Sequence, residues 1–315
     1  MPKPRFFIVE NELRAAFPQL MIKPVIGDIR DRARVNNIFA SCQPQVVFHA
    51  AAYKHVPMME ENPCAASNNN VRGTRVVAEA ADKYGASHFV MISTDKSVNP
   101  TNIMGTSKRI AEIFVQNLAR RSRTHFVTVR FGNVLGSNGS VIPTFREQIK
   151  AGGPVTVTHR EVTRYFMSIP EAAQLVLQAG SMGQGGEIFL LDMGEPVKIV
   201  ELAESMIRLS GFEPYREIEI AFTGLRPGEK LYEELLLDGE GIKPTSHEKI
   251  RVASSTEHPW EQLLQDLDSL YEASQNYRVD QVIALMRKLV PEYRPVVHLQ
   301  EVKKKQEPAA LNAGV

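Results

Sequence analysis

Apolar residues in the first half of the chain form short unbroken runs, separated by longer stretches in which they recur with helical spacing. Unbroken runs of this length are typical of strands buried on both faces of a sheet. The pattern predicts strands at 46–52, 88–94 and 125–130 and helices at 71–84 and 103–120. Gly85 fits the C-terminal stop of the first of these helices. Because strands and helices alternate, we expect an α/β fold with a doubly wound parallel sheet.

The second half has shorter apolar runs, and we expect its elements to form a smaller lobe that interleaves with the sheet. Short strands are predicted at 155–157, 187–192 and 217–222, and helices at 170–179, 199–210 and 228–237. We therefore divide the chain into a sheet domain at 1–153, a C-terminal lobe at 154–300 and a tail at 301–315. The lysines of the tail and the small residues after them predict a disordered, solvated terminus.

Composition narrows the class of protein. Hydrophobic residues make up 43% of the 315 residues and charged residues 23%, as in ordinary soluble globular domains. A net charge of +1 argues against a nucleic-acid binder, which needs a basic surface to neutralise phosphates. Two cysteines are too few for a disulfide framework or a structural metal site. Since there is no signal peptide and no apolar run of about 20 residues, we expect a cytoplasmic protein without a membrane segment.

Side chains that could transfer protons follow the predicted strand at 88–94. The run Ser93-Thr94-Asp95-Lys96 ends that strand, and Met104-Gly105-Thr106-Ser107-Lys108 opens the next helix, with Lys108 one turn after Met104. Ligands of open α/β sheets bind outside the carboxyl ends of the strands. The sequence therefore predicts a hydroxyl, an acid and an amine at the ligand-binding edge of the sheet.

These two runs, with Asn99-Pro100-Thr101-Asn102-Ile103 between them and Arg109 after them, resemble one family of enzymes. The family is the group of extended short-chain dehydrogenase/reductases that dehydrate UDP-N-acetylglucosamine, the nucleotide-sugar 4,6-dehydratases of polysaccharide biosynthesis. The resemblance runs from about residue 10 to about residue 254. It implies a Rossmann-like sheet that binds NAD, with NADP not excluded, as well as a UDP-sugar substrate and a homo-oligomer.

Members of that family begin with a strand, a glycine-rich turn and a helix that together hold the cofactor pyrophosphate. The first residues of this chain contain no such glycine pattern, and residues 11–14 are typical of the helix that follows the second strand of the fold. We therefore expect an N-terminally truncated sheet without the first βαβ unit. In the family's pattern, Gly27-Asp28-Ile29 then follows a short strand.

The resemblance also implies a reaction. NAD⁺ takes hydride from C4 of the sugar, a base removes the C5 proton, an acid helps the C6 hydroxyl to leave as water, and the hydride returns to C6. By resemblance, Thr94 bonds the C4 oxygen, Asp95 is the acid and Lys96 is the base. A lysine base must lose its proton near pH 7, so its pKa must fall from about 10.4 by roughly three units, which desolvation or a nearby cation such as Lys108 favours.

Met104 departs from most of the family, in which a tyrosinate at this position accepts the C4 hydroxyl proton. A thioether cannot act as a base. Either Thr94, Lys108 or water takes that role, or the step is lost. Met104 could equally be ordinary packing at the start of a helix.

Further residues map onto the family's cofactor and substrate sites by resemblance alone. The cofactor-binding set is Asp28, Ile29, Ala50, Ala51, Ala52, Lys54, Asn70 and Lys108, with Asp28 at the adenine amine and Lys108 at the nicotinamide ribose. The substrate-binding set is Lys54, His55, Asn133, Arg164, Arg226 and Glu229, with the two arginines on the UDP diphosphate. Arginine suits that role because its planar fork bonds phosphate oxygens in pairs.

Two other functions stay open from the sequence. A UDP-sugar 4-epimerase of the same superfamily would keep the C4 oxidation without the elimination, although an epimerase has no need for Lys96 as a C5 base. A catalytically weak or inactive truncated homologue would bind a UDP-sugar or pair with a partner subunit, because the phosphate-binding unit is missing. A sheet without that unit would expose a strand edge, which invites pairing with another chain.

Overall fold

The computed structural model describes residues 5–137, 139–235, 241–253 and 257–295. Within these ranges the helices are α1 (Arg5–Ala16), α2 (Arg32–Cys42), α3 (Val56–Glu61), α4 (Pro63–Ala66), α5 (Thr74–Lys83), α6 (Ile103–Ala119), α7 (Val141–Lys150), α8 (Ile169–Met182), α9 (Ile199–Leu209), α10 (Trp260–Gln275) and α11 (Val279–Leu289). The strands are β1 (Val46–His49), β2 (His88–Ile92), β3 (His125–Arg130), β4 (Asn133–Val134), β5 (Val155–Val157), β6 (Thr163–Arg164), β7 (Phe166–Met167), β8 (Ile188–Leu191), β9 (Val197–Lys198), β10 (Ile220–Phe222), β11 (Ile242–Pro244) and β12 (Ile250–Ala253).

The central sheet has six strands, in the order β1-β2-β3-β8-β12-β11. The first four run parallel, whereas β12 runs antiparallel to β8 and β11 antiparallel to β12. In register, Val90 of β2 lies between Phe48 of β1 and Val127 of β3. The predicted Rossmann-like α/β fold with a parallel sheet is confirmed, and the antiparallel extension through β12 and β11 was not predicted. In the part of the chain that is described, β1 forms one edge of this sheet.

Each face of the sheet carries its own apolar core. Successive side chains of a strand point to opposite faces. Phe89 and Phe126 therefore join the core beneath α5, α6, α10 and α11, whereas Val90 and Val127 join the core beneath α8. All four side chains are fully buried. Burial on both faces explains why these strands are unbroken apolar runs in the sequence.

A further apolar core forms around a separate two-stranded sheet. There β5 pairs in parallel with β10, and α7 and α9 pack against them. The buried residues Phe145, Val155, Ile207 and Ile220 belong to this core, so it includes a residue from before the boundary predicted at 153/154. The short pairs β4–β7 and β6–β9 are formed by residues between 133 and 198. Along the sequence, β8 and β12 of the central sheet alternate with the elements of this further core.

Several local predictions were wrong or incomplete. The strand predicted at 46–52 ends at His49, and the strand predicted at 217–222 begins at Ile220. The helix predicted at 228–237 is absent from 228–235, where the chain forms turns, and its last two residues lie outside the described ranges. Gly228 has a φ of +73°, which is outside the helical region, and its carbonyl accepts hydrogen bonds from Thr101 and Asn102. Its backbone therefore bonds distant residues and not the next turn of a helix. The short strand expected before Gly27 is not formed. The helix predicted at 71–84 begins earlier, as a wide π-helical turn at Ser67–Gly73 that leads into α5.

None of the described helices is both long and apolar enough to span a membrane. The tail predicted at 301–315 lies outside the described residues.

Candidate active site

The turn that follows β2 carries the predicted proton-transfer residues. Thr94 is in extended conformation and its side chain accepts a hydrogen bond from the Lys96 backbone amide, at 3.4 Å, which caps a short helical turn at Asp95–Ser97. The Asp95 amide donates to the Phe131 carbonyl, just beyond the end of β3. The turn is therefore held at the carboxyl ends of two neighbouring parallel strands.

The start of α6 presses against this turn. Asn102 is the N-cap of α6, and its side chain accepts a hydrogen bond of 2.7 Å from the Gly105 amide. A Cβ atom at Gly105 would collide with the Lys96 carbonyl oxygen. Only glycine allows this approach, because every other residue would place a Cβ atom there. The approach brings the helix that carries Lys108 against the turn that carries Asp95.

Asp95 is fully buried, and its two carboxylate oxygens have different surroundings. Oδ1 accepts hydrogen bonds from Thr94 Oγ1 at 2.8 Å and from Lys96 Nζ at 2.9 Å. Oδ2 has no hydrogen-bond partner among the described residues. It faces Gly132, where a Cβ atom would lie 3.2 Å away. A buried carboxylate oxygen without a partner costs about 1–3 kcal/mol, so this oxygen is suited to meet a donor on a ligand.

Lys96 lies between two carboxylates. Its Nζ is 2.9 Å from Asp95 Oδ1 and 3.6 Å from Glu233 Oε1, and Asn133 Oδ1 lies at 3.5 Å. Burial by itself lowers the pKa of Lys96, but the charges of Asp95 and Glu233 outweigh it and raise the pKa above the ordinary lysine value. The sequence analysis required a pKa lowered by roughly three units at this lysine. The structure shows the opposite direction because the carboxylates stabilise the ammonium ion.

The amine with a lowered pKa is instead that of Lys108. Its side chain is buried and Nζ donates a hydrogen bond of 2.8 Å to the Ile92 carbonyl at the end of β2. Burial lowers the pKa of Lys108 to about 8, against the opposing charge of Glu112. Met104, one turn earlier, is 4% exposed and belongs to the apolar core on this face of the sheet.

The residues predicted for the diphosphate meet at one carboxylate. Arg164 Nη2 lies 3.1 Å from Glu229 Oε1, and Arg226 Nε lies 3.3 Å from Glu229 Oε2. Arg164 is buried and Arg226 is largely exposed. Arg164 Nε also lies 3.7 Å from Glu233 Oε1, which connects this group to Lys96.

The other predicted residues lie in the loop after β1, in the π-helical turn at Ser67–Gly73, or on the loop before α2. The loop after β1 begins with Ala50, Ala51 and Ala52, and its Lys54 donates a weak hydrogen bond of 3.4 Å to Ser137. His55 packs on Gly139, where a Cβ atom would collide with its ring. Asn70 is fully buried and bonds both backbone groups of Tyr53, so it fixes that loop.

Asp28 and Ile29 lie on the loop that leads into α2. Both oxygens of Asp28 pair with Arg30, and this hydrogen bonding lowers the pKa of Asp28 to about 2. The Ile29 side chain packs closely on Gly73 and against the core of that face. The structure thus brings Thr94, Asp95, Lys96, Asn133 and the Arg164–Glu229 pair into one chain of contacts and places Asp28 in a separate ion pair.

Two buried acids of this region were not predicted from the sequence. Glu112 accepts hydrogen bonds from Ser93 at 2.5 Å and Ser97 at 2.8 Å, one at each end of the turn. Glu233 lies beside Lys96 and Arg164. The position of Glu112 four residues after Lys108, one helical turn on, was an available signal. The location of Glu233 depends on a tertiary contact that spacing does not reveal.

Comparison with known proteins gives the family. Residues 5–255 match a family model described as polysaccharide biosynthesis protein. The probable polysaccharide biosynthesis protein EpsC of Bacillus subtilis (strain 168) is 51% identical over 265 residues, which are 84% of this chain and 44% of that protein. The capsular polysaccharide biosynthesis protein CapD of Staphylococcus aureus is 59% identical over 228 residues, 72% of this chain and 38% of that protein. The chain thus spans less than half the length of these two relatives.

The chain is also similar to a solved structure. The X-ray structure of Pen from Bacillus thuringiensis has a TM-score of 0.72 and 35% sequence identity to this chain. The match covers 79% of this chain and 77% of that one.

Proposed function

The chain belongs to the polysaccharide biosynthesis protein family, and we propose from that premise that it carries the active site of a nucleotide-sugar 4,6-dehydratase. The proposed reaction converts UDP-N-acetylglucosamine into a UDP-4-keto-6-deoxy sugar with release of water. The observation that carries the proposal is the buried Asp95 carboxylate, which contacts the Lys96 amine through Oδ1 and whose Oδ2 has no hydrogen-bond partner in the described part of the chain. An acid and an amine in contact at the carboxyl end of a strand are what an elimination needs.

In this proposal each residue of the turn acts on one atom of the sugar. Thr94 bonds the C4 oxygen, whose hydroxyl proton passes to Lys108 or to water when C4 is oxidised. Lys96 accepts the C5 proton and later returns it, and Asp95 gives a proton to the C6 oxygen as it leaves as water. Asp95 must carry that proton when it acts, and Lys96 must be neutral. Since Asp95 and Lys96 form an ion pair of 2.9 Å before substrate binds, transfer of one proton from the amine to the carboxylate would produce both required states.

The residues around the turn fit a nicotinamide cofactor. Lys108 Nζ has three hydrogens and donates one to Ile92 O, which leaves donors for ribose hydroxyls. The small residues Ala50, Ala51 and Ala52 at the end of β1 allow close approach of a ligand. When bound, NAD would supply the reversible oxidation at C4 that makes the C5 proton acidic. The use of NAD, with NADP not excluded, and the assignment of Asp28 to the adenine stay predictions.

Arg164 and Arg226 are proposed to bind the UDP diphosphate. In the substrate-free protein both pair with Glu229, so their guanidinium groups already lie close to each other. A diphosphate would replace Glu229 as their partner, because planar guanidinium groups bond phosphate oxygens in pairs. Assembly as a homo-oligomer and a cytoplasmic location stay predictions, which light scattering and cell fractionation would check.

The test is NMR spectroscopy of UDP-N-acetylglucosamine incubated with the purified chain, with and without NAD⁺. We expect a C6 methyl doublet and a 4-keto or hydrated C4 signal, and no such product from Asp95→Asn. A C4-inverted UDP-sugar with its C6 hydroxyl intact would identify a 4-epimerase instead. An unchanged spectrum from folded protein that still binds UDP would identify a binding protein and contradict the proposal.

Lys96, rather than Met104, argues against the epimerase, because an epimerase has no need for a base at C5. Both the dehydratase and the epimerase begin by removing the C4 hydroxyl proton, which the thioether of Met104 cannot accept. Met104 is also 4% exposed within an apolar core. The amine of Lys108, with a pKa of about 8, is the titratable group that this helix offers at its N-terminal end.

A further inference from the structure

Glu233 occupies a position between two functional groups of the proposed site. It is buried, and its Oε1 lies 3.6 Å from Lys96 Nζ and 3.7 Å from Arg164 Nε. The carboxylate therefore bridges the proposed C5 base and a proposed diphosphate ligand. Nothing in the spacing of the sequence assigns it a role.

The loop that carries Glu233 is hydrogen-bonded to the residues that connect the catalytic turn (residues 93–97) to α6. Thr101 and Asn102 donate hydrogen bonds of 2.9 and 3.1 Å to the Gly228 carbonyl. Lys230 Nζ donates to the Val98 carbonyl at 3.1 Å. The bonds to Gly228 fix the backbone before Glu229, and the Lys230 side chain attaches the segment three residues before Glu233 to Val98. Glu233 itself is held beside Lys96 by its contacts with Lys96 and Arg164.

Charged groups from three parts of the chain face Lys96. Asp95 comes from the catalytic turn, Glu233 from the loop after Gly228, and Arg164 from β6. The neutral amide of Asn133, from β4, completes the surroundings. With Lys96 charged, these groups comprise two anions and two cations. Removal of one carboxylate charge would leave the two cations facing a single anion, which disfavours the ammonium form of Lys96.

We infer that Glu233 is a positioning residue that holds Lys96 as an ammonium ion in the substrate-free site and links it to Arg164. The consequence for catalysis rests on the proposed function. When a diphosphate binds Arg164 in place of Glu229, its negative charge offsets the guanidinium that faces Glu233, and this favours the ammonium form of Lys96 more strongly. Glu233 thereby makes the protonation state of the proposed base depend on whether the diphosphate subsite is filled.

The test measures the protonation of Lys96 directly, so it needs neither turnover nor cofactor. Wild type and Glu233→Gln are treated with trace acetic anhydride from pH 7 to pH 11, and labelling of Lys96 is quantified by mass spectrometry relative to Lys150. Lys150 is a suitable reference because its side chain is 66% exposed. Only the neutral amine reacts, and one pKa unit changes its amount tenfold below the midpoint.

We expect Glu233→Gln to raise the Lys96-to-Lys150 labelling ratio at pH 8 about tenfold or more and to move the Lys96 midpoint to lower pH. A change in access alone would raise the ratio equally at every pH. The matched control is Glu234→Gln, which should leave the profile unchanged, because Glu234 contacts Asn99 and Lys230 and glutamine can still accept those bonds. Glu233→Asp should restore most of the wild-type midpoint.

An unshifted Lys96 midpoint in folded Glu233→Gln would overturn the inference, whatever the sugar product. A second measurement relates it to the proposed function: saturation of the wild-type protein with UDP should shift the Lys96 midpoint to higher pH, and saturation of Glu233→Gln should shift it less. If the NMR experiment shows no dehydration but Lys96 still responds to Glu233 and to UDP, the proposed reaction fails and the inference about Glu233 stands.

Discussion

Two buried charge clusters contain residues of the turn at 93–97, and they differ in how completely their groups are paired. The first is centred on Glu112. Its Oε1 accepts from Ser93 and Ser97, and its Oε2 lies 2.6 Å from Arg130 and 3.2 Å from Arg109. The Glu112 and Arg130 side chains are 0% and 1% exposed. This cluster fixes both ends of the turn to α6 and β3.

The second cluster is centred on Lys96 and has looser contacts. Apart from the ion pair with Asp95, its contacts are long. Lys96 Nζ lies 3.5 Å from Asn133 Oδ1, and Arg164 Nε lies 3.7 Å from Glu233 Oε1. Asp95 Oδ2 has no partner among the described residues. The comparison teaches that one cluster uses its bonding capacity within the protein, while the other keeps capacity for a ligand. A rigid support under an incompletely paired group is the arrangement expected of a preorganised site.

The largest effect should come from breaking the fully paired cluster. Glu112→Gln removes the buried carboxylate that pairs with Arg130 and Arg109, although Arg109 keeps its ion pair with Glu292. Removal of one partner from a buried ion pair costs about 3–5 kcal/mol. Urea unfolding followed by circular dichroism measures the loss. Glu147→Gln is the control, because Glu147 is 73% exposed and its pair with Lys150 contributes little. Equal stability of the two variants would contradict the structural role of Glu112.

Acid should weaken the same cluster. Burial alone would raise the pKa of Glu112, but the charge and hydrogen bonds of Arg130, with Arg109 and Ser93, lower it from 4.5 to about 2. Because the folded pKa lies below the unfolded one, the stabilisation is complete above about pH 5 and is lost as the pH falls toward 2. The contribution is on the order of 3 kcal/mol.

The measurement is urea unfolding of wild type and Glu112→Gln at pH 6, 4 and 3. The gap in the free energy of unfolding between them should narrow as the pH falls, since a protonated Glu112 resembles the amide. A gap that stays constant across this range would show that charge pairing is not the source of the stability.

A change in the cluster around Lys96 should reduce stability less than a change in the cluster around Glu112, and should reduce turnover strongly. Asp95→Asn keeps an oxygen that accepts from Thr94 and Lys96, and Lys96 keeps Glu233 as a partner. We therefore expect a stability loss of about 1–2 kcal/mol, well below that of Glu112→Gln. Turnover should fall by roughly 10² to 10⁴-fold, since the general acid is removed. If the stability losses of the two variants are equal, the contrast between the clusters is wrong.

The smallest effect is expected at Met104. Met104→Leu conserves volume in an apolar core and should cost less than about 1.5 kcal/mol in the free energy of unfolding. Product formation should persist, because a thioether takes no proton in the proposed reaction. Loss of dehydration in a stable Met104→Leu protein would instead place the sulfur in contact with the substrate.

Much of the fold could be predicted because strands that are buried on both faces have unbroken apolar sequences. The strands at β2 and β3 and the helix α6 lie within two residues of their predicted bounds. The antiparallel extension through β12 and the turns at 228–235 were missed. Their conformation depends on hydrogen bonds to distant residues, such as those from Thr101 and Asn102 to Gly228. The local spacing of apolar and polar residues does not reveal such distant partners.

The sequence by itself determined that Thr94, Asp95 and Lys96 follow a buried strand, and therefore that a hydroxyl, an acid and an amine share one edge of the sheet. Only the tertiary structure decided their charge states. Glu233 lies far from Lys96 in sequence but 3.6 Å away in space, and with Asp95 it raises the pKa of the lysine that the sequence analysis required to be lowered. Electrostatic interactions depend on distance and burial, and those are fixed when the chain folds.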